Sequence, residues 1–148
     1  MTMKTQAILV AAALALSLSA CSQEKVSHLA DNLPVKAREL ISSNFTNAIS
    51  LVEEDKEFGK TQEYEVTLTD GSEIKFTSSG DWKSIDTPNN RPVPSGLVPT
   101  AIAKYVATKH AGAYIVGIEK EKKGYDVELS NGVEITFDKN GNFLKYDN

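Results

Sequence analysis

The hydrophobic and polar positions of this chain trace one pattern twice. Leu33, Ala37, Leu40, Ile41, Phe45 and Ala48 recur at steps of four, three and one, which places them on one face of an α-helix. Val98, Ile102, Tyr105, Val106, His110 and Ala113 repeat those steps. Each helix is expected to carry a proline in its first turn, Pro34 or Pro99, at an offset of 65, with Asn32 or Leu33 capping the first helix. Proline is harmless there because its missing N–H has no intrahelical partner to lose.

After each helix the apolar period shortens from helical to two. Residues 49–58 and 113–119 read as weaker first strands. Tyr64, Val66 and Leu68 then alternate with polar neighbours, as do Tyr125, Val127 and Leu129, the pattern of a strand with one buried face. Asp70-Gly71 and Asn131-Gly132 follow, dipeptides that accept positive φ at both positions and so close tight hairpins. Ile74 and Phe76, or Ile135 and Phe137, begin the return strand, and Gly80 or Gly141 turns the chain into Trp82 or Phe143.

Residues 64–86 lie on residues 125–147 without a gap, offset by 61, and the identical pairs include Tyr64/Tyr125, Gly71/Gly132, Phe76/Phe137, Gly80/Gly141 and Asp86/Asp147. The identities are apolar alternation and turn residues, which specify architecture rather than chemistry. The expected fold is α+β: two tandem helix-plus-four-strand repeats forming one antiparallel sheet with helices on one face. The repeats occupy 33–87 and 97–148, and residues 88–96, rich in proline, form a semi-rigid extended connector. The first copy carries four extra residues between helix and second strand, since the offset falls from 65 to 61. They are expected in a loop around 53–61.

The N-terminus supplies an address. Lys4 precedes an apolar run over 7–18, interrupted only by Ser17, and Leu18-Ser19-Ala20-Cys21 follows. The run is too short to span a bilayer comfortably and has the charged start and small-residue end of a secretory signal, residues 1–20. Leu-Ser-Ala-Cys resembles the lipobox of bacterial lipoproteins, which implies cleavage before Cys21 and acylation of that cysteine. Several acyl chains, at about 0.8 kcal/mol per buried CH2, make such an anchor effectively permanent. Cys21 is the only cysteine, so lipidation leaves no thiol for a disulfide, a nucleophile or a metal. Residues 21–32 are polar and read as a tether. Ser22 resembles the residue that directs lipoproteins of Gram-negative bacteria to the outer membrane, either leaflet of which remains open as the address. Loss of Lys4 with the signal takes the formal charge from −4 to −5, which argues against nucleic acid or anionic lipid as the main partner.

The helix that begins Leu-Pro, the Tyr-x-Val-x-Leu strands, Asp/Asn-Gly-x-Glu-Ile-x-Phe and the closing Gly-Asp-Trp or Asn-Gly-Asn-Phe-Leu together resemble the PepSY-like family of bacterial envelope proteins, also described as β-lactamase-inhibitor-like. The likeness covers 33–148. It implies a fold similar to the β-lactamase inhibitor protein and implies no catalytic residues. An inhibitory role taken from the fold's namesake is analogy.

Candidate chemistry is sparse. His110 is the only histidine beyond the tether and sits at an inward helix position, where a structural role is the plainer reading; His28 lies in the tether. Asp138-x-Asn140-x-Asn142 looks like the opening of a calcium loop, but Phe143 stands where that loop needs glycine. Glu53-Glu54-Asp55 reads as a solvated loop or strand end. Neither a catalytic constellation nor a cofactor motif is read, and no cofactor or metal is expected. The expected function is therefore a non-catalytic envelope lipoprotein that binds a protein or peptide, with inhibition as one form and a structural envelope role as the alternative. The face expected to bind is the polar side of the sheet: Glu65, Thr67, Glu73 and Lys75 from one copy, Asp126, Glu128, Glu134 and Thr136 from the other. Trp82 is a second contact candidate, although Phe143 at the matching position favours core packing.

Overall fold

The computed structural model describes residues 30–147. The expected signal peptide, Cys21, His28 and most of the tether lie outside the described residues. The elements are α1 (Val35–Asn44), β1 (Ile49–Glu57), β2 (Lys60–Leu68), β3 (Glu73–Thr77), β4 (Trp82–Asp86), a short 3-10 turn (Ser95–Leu97), α2 (Thr100–Lys109), β5 (Ile115–Glu121), β6 (Gly124–Leu129), β7 (Glu134–Asp138) and β8 (Phe143–Asp147). All eight strands form one sheet in chain order, every neighbouring pair antiparallel. The halves join where β4 meets β5, with Ser84 opposite Glu119, Ile85 opposite Ile118 and Asp86 opposite Gly117.

Both helices are shorter than their apolar pattern. Phe45 and His110 are C-caps rather than helical residues, and Ala48 and Ala113 lie beyond them. Side chains near each end compete for the backbone: Asn44 Nδ2 donates to the Leu40 carbonyl at 2.9 Å and Thr108 Oγ1 to the Lys104 carbonyl at 2.8 Å. The prolines also sit one place earlier than expected. Pro34 and Pro99 are the N-caps themselves, with extended ψ, and the Pro34 carbonyl accepts from the Ala37 and Arg38 N–H groups.

The extra residues of the first half are strand, not loop. Residues 53–65 separate Val52 from its cross-strand partner Val66, whereas only 119–126 separate Ile118 from Val127. The insertion lengthens the β1–β2 hairpin. Charged side chains on both faces hide the period of two there, which is why the sequence reads as loop. The hairpin closes through Phe58 and Gly59, with φ 50 and 76, a two-residue turn whose backbone matches strand twist. Phe58 is the only non-glycine residue with positive φ among the described residues.

The core lies between the helices and one face of the sheet. Ala37, Ile41, Ile102 and Val106 meet Val66, Leu68, Ile74, Phe76, Ile85, Val127, Leu129, Ile135 and Phe137, all buried. Val93 of the connector joins them and donates its N–H to the Ile115 carbonyl at 2.8 Å. Arg91 fixes the same segment to the first half, reaching Asp70 at 3.2 Å and Asn47 at 3.1 Å.

Gly80 and Gly141 are required where they stand. Each has positive φ, 89 and 80, and each turn lies hard under a helix N-terminus. A Cβ on Gly80 would fall 2.8 Å from Pro34 Cβ, and one on Gly141 would fall 2.8 Å from Ala101 Cβ. Close approach of turn to helix explains why this pair is identical.

Candidate functional site

Alternation that sends Tyr64, Val66, Ile74, Phe76, Val127 and Ile135 into the core turns their neighbours to the opposite face. All eight residues expected on the polar face pair there: Glu65 opposite Lys75, Thr67 opposite Glu73, Asp126 opposite Thr136, Glu128 opposite Glu134. Because β4 and β5 are neighbours, the two sets merge into continuous rows. One runs Glu65, Lys75, Ser84, Glu119, Asp126, Thr136, Lys145; the next runs Thr67, Glu73, Asp86, Gly117, Glu128, Glu134, Asp147.

The second half of this face is an open trough of about 840 Å³ that reaches from Lys75 on β3 to Asp147 on β8. Gly117 lies at the middle of the acidic row. A Cβ there would sit 3.0 Å from Asp86 Oδ1 and 3.3 Å from Glu128 Cβ, so the missing side chain is what lets these two carboxyl-bearing residues close over the Gly117 backbone. Acidic side chains on the walls, among them Glu119, Glu121, Asp126, Glu128 and Glu134, outnumber Lys75, Lys122, Lys123 and Lys145.

Charge crowding is visible in Asp86. Partial burial, then repulsion from Glu73, Glu128 and Glu119, pushes its carboxyl above the ordinary value, and Lys75 offsets only part of this. Asp147 is held the other way. Hydrogen bonds from Lys145 and from Thr136, whose Oγ1 lies 2.5 Å from Asp147 Oδ2, keep it below the ordinary carboxylate range. At the β1 side, Lys75 lies 3.7 Å from Glu65, and Lys83 pairs with Glu63. The acidic floor is thus least compensated at the junction of the halves.

Sequence alternation identifies the face but not its centre. Ser84, Asp86, Gly117, Glu119, Lys145 and Asp147 belong to the same rows. Asp86 and Asp147 carry a usable signal, being identical in register and polar at an alternating position. Gly117 carries a weaker one, a glycine inside the apolar run Ile115-Val116-Gly117-Ile118.

The remaining candidates have structural positions. Trp82 packs partly buried against the core, with Lys120 Nζ 3.7 Å from its ring centroid. His110 Nε2 lies 3.1 Å from the Tyr146 hydroxyl, which also meets the Tyr105 hydroxyl at 3.1 Å. That hydrogen bond, with burial, pushes Tyr105 up to about 12. Asp138 accepts from the Asn140 and Asn142 N–H groups through Oδ1 and from Asn142 Nδ2 through Oδ2, so its oxygens organise their own turn. Glu54 accepts from Lys56 at 2.7 Å inside β1. Among the described residues no group of three or more His, Cys, Asp or Glu side chains is placed to hold a metal ion.

Comparisons with known proteins agree with this architecture. A crystal structure described as a "putative periplasmic protein of unknown function" from Bacteroides vulgatus is 40% identical, with a TM-score of 0.74, over 80% of this chain and 94% of that one. A "putative calcium-regulated periplasmic protein" from Bacteroides thetaiotaomicron is 33% identical, with a TM-score of 0.74, over 80% of this chain and 93% of that one. A second Bacteroides vulgatus periplasmic protein, from the DUF2874 family, is 34% identical with a TM-score of 0.73, again over 80% and 93%. No curated protein matches the chain. Residues 62–145 match the family model described as "Putative beta-lactamase-inhibitor-like, PepSY-like", and the chain belongs to that PepSY-like family.

Proposed function

We propose that this protein is a lipid-anchored envelope binding module whose trough captures a cationic segment of a protein or peptide partner, and that it is built from two tandem copies of one helix-plus-four-strand unit. The observation that carries the reading is the acidic trough itself, with carboxylates in excess along its walls and Asp86 and Glu128 drawn together over Gly117. Carboxylates in excess of the lysines, and least compensated at the junction of the halves, favour a segment that brings its own positive charge, because complementary potentials steer and register a partner. Matching registers support the tandem reading, since Tyr64 faces Phe76 as Tyr125 faces Phe137. Anchoring rests on Cys21 at the end of the signal. Inhibition of an enzyme is one form that such capture takes, and an envelope scaffold is the other.

The test pairs charge reversal with capture from solubilised membranes. Glu65→Lys with Glu73→Lys, and Glu128→Lys with Glu134→Lys, alter exposed or half-exposed side chains on the face away from the core, where substitutions usually change stability by less than about 0.5 kcal/mol. Loss of the captured protein by the second pair, with the fold intact by circular dichroism, is expected. Undiminished capture by both folded variants removes this face as the binding surface. A stoichiometric enzyme partner favours inhibition, whereas a porin or wall component favours the scaffold. In the same strain Cys21→Ser should abolish incorporation of labelled palmitate; continued partition with membranes after a high-salt wash would show that the anchor lies elsewhere.

A further inference from the structure

We propose that the β1–β2 hairpin is a docking arm whose tip residue, Phe58, inserts into an apolar pocket with a basic rim on a partner protein. Folding gives no reason for phenylalanine at this position. Its side chain is 96% exposed, and at φ 50 its backbone is in the left-handed region, where a Cβ meets the carbonyl and where glycine, asparagine or aspartate normally stands. A residue that is both sterically penalised and fully solvated contributes nothing to the core.

The arm holds that ring away from the body. β2 pairs with β3 from Glu63 inward, and just past β3 the Ser78 N–H donates to the Gln62 carbonyl at 3.0 Å, so the cross-strand pairs Lys56–Thr61 and Glu57–Lys60 overhang as a bare two-stranded ribbon. The matching hairpin of the second half has no overhang. Gly124, the first residue of β6, already faces Asp138 on β7, and the turn before it is Lys122-Lys123. The insertion in the first copy therefore has one structural product, a projecting ribbon with an aromatic tip.

Charge selects the partner. Over the whole hairpin, 53–65, Glu53, Glu54, Asp55, Glu57, Glu63 and Glu65 outnumber Lys56 and Lys60; the overhanging tip itself carries Lys56, Glu57 and Lys60, and Lys56 is already held by Glu54 at 2.7 Å. An acidic arm is repelled by an anionic lipid surface and drawn to lysines and arginines. A phenyl ring at the end of a hairpin with that acidic excess, flanked by charged residues of both signs, matches the aromatic anchor and polar rim of a protein interface. No residue of the arm lines the trough, so the two surfaces can be tested separately.

Two experiments on the full-length lipidated protein decide the matter. Phe58→Asn should leave Tm unchanged or raise it by on the order of 2–4 °C, because asparagine accepts the turn geometry. A clear fall in Tm would mean that Phe58 serves the fold, and would overturn the proposal. A photo-crosslinking p-benzoylphenylalanine at position 58, activated in isolated envelopes, should yield one dominant protein adduct. The attached site should map to an apolar pocket flanked by Lys or Arg, and the adduct should fall at least tenfold when excess unlabelled protein competes but not when excess Phe58→Asn protein does. Adducts to lipid, to a second copy of this chain, to the same mixture as a probe at Lys122, or none at all, each overturn it.

Discussion

β4 and β8 descend the sheet with matching residues and opposite surroundings. Trp82, Ile85 and Asp86 correspond to Phe143, Tyr146 and Asp147 at the internal offset of 61. β4 has a neighbour on each side, β3 and β5, whereas β8 is an edge. Ile85 is 0% exposed and Tyr146 47%. Asp86, crowded by carboxylates from both halves, is pushed above the ordinary carboxylate value, while Asp147, served by Lys145 and Thr136, is held below it. An identical residue acquires contrary electrostatics because Asp86 is partly buried among carboxylates of both halves, while Asp147, on the edge strand, has Lys145 where the first half has Ser84. Position within the sheet, together with that local difference, makes the trough.

The comparison breaks most visibly in the core. Phe76 and Phe137 occupy equivalent interior positions at 0% exposure, so replacing either with alanine should cost about 3–5 kcal/mol by urea denaturation. Their equality is the control. Ile85→Ala should then cost about 2–5 kcal/mol, and Tyr146→Ala less than about 1.5 kcal/mol, since its ring is half solvated and its hydroxyl contacts lie at the surface. Equal losses at Ile85 and Tyr146 would show that β8 is covered in solution and that the contrast between interior and edge is false.

A finer test uses the two turns that press against the helices. Gly80→Ala and Gly141→Ala each impose positive φ on an L-residue and a Cβ contact of 2.8 Å, which should cost about 1–3 kcal/mol. Both also face backbone, Gly80 more closely, with Ala37 N at 3.2 Å against Ile102 N at 3.4 Å for Gly141, so Gly80 should suffer more. The order is read from paired melting curves. A smaller loss at Gly80 would mean that the first helix yields more readily than the second.

Where one face is buried and the other solvated, the sequence states the fold openly. Val66, Ile74, Val127 and Ile135 alternate with charged neighbours, and a slip of one residue would bury charge, so register is readable. The turns Asp70-Gly71 and Asn131-Gly132 are equally explicit. Legibility fails where no face is buried. Residues 53–61 form strands in a solvated ribbon, leaving no apolar alternation to read. It fails again across the β4–β5 junction, because the acidic floor around Gly117 is assembled from strands separated by the connector and a helix. The sequence shows each half of the polar face, but only pairing of the halves brings Asp86 beside Glu128.

The smallest expected effect is the most direct measure of that junction. Because Asp86 has a folded value above the ordinary 3.8, its ionised form is disfavoured by folding. The penalty is full above the raised value and disappears as the pH falls through it toward 3.8. Asp86→Asn should therefore raise Tm at neutral pH, with the gain fading on acidification. Asp147 has a folded value below 3.8, so its ionised form favours the fold; that contribution is present above 3.8 and is lost as the pH falls through the lowered value. Asp147→Asn should lower Tm slightly at neutral pH, the more weakly because its partners are exposed and screened. Melting both variants beside the wild type from neutral pH to below 3.8 tests the pair. Opposite signs at neutral pH, converging in acid, are the signature of one carboxylate crowded at the junction and one paired at the edge. A loss of stability in Asp86→Asn at neutral pH would mean that the trough floor is compensated by cations, and its preference for a cationic segment would go with it.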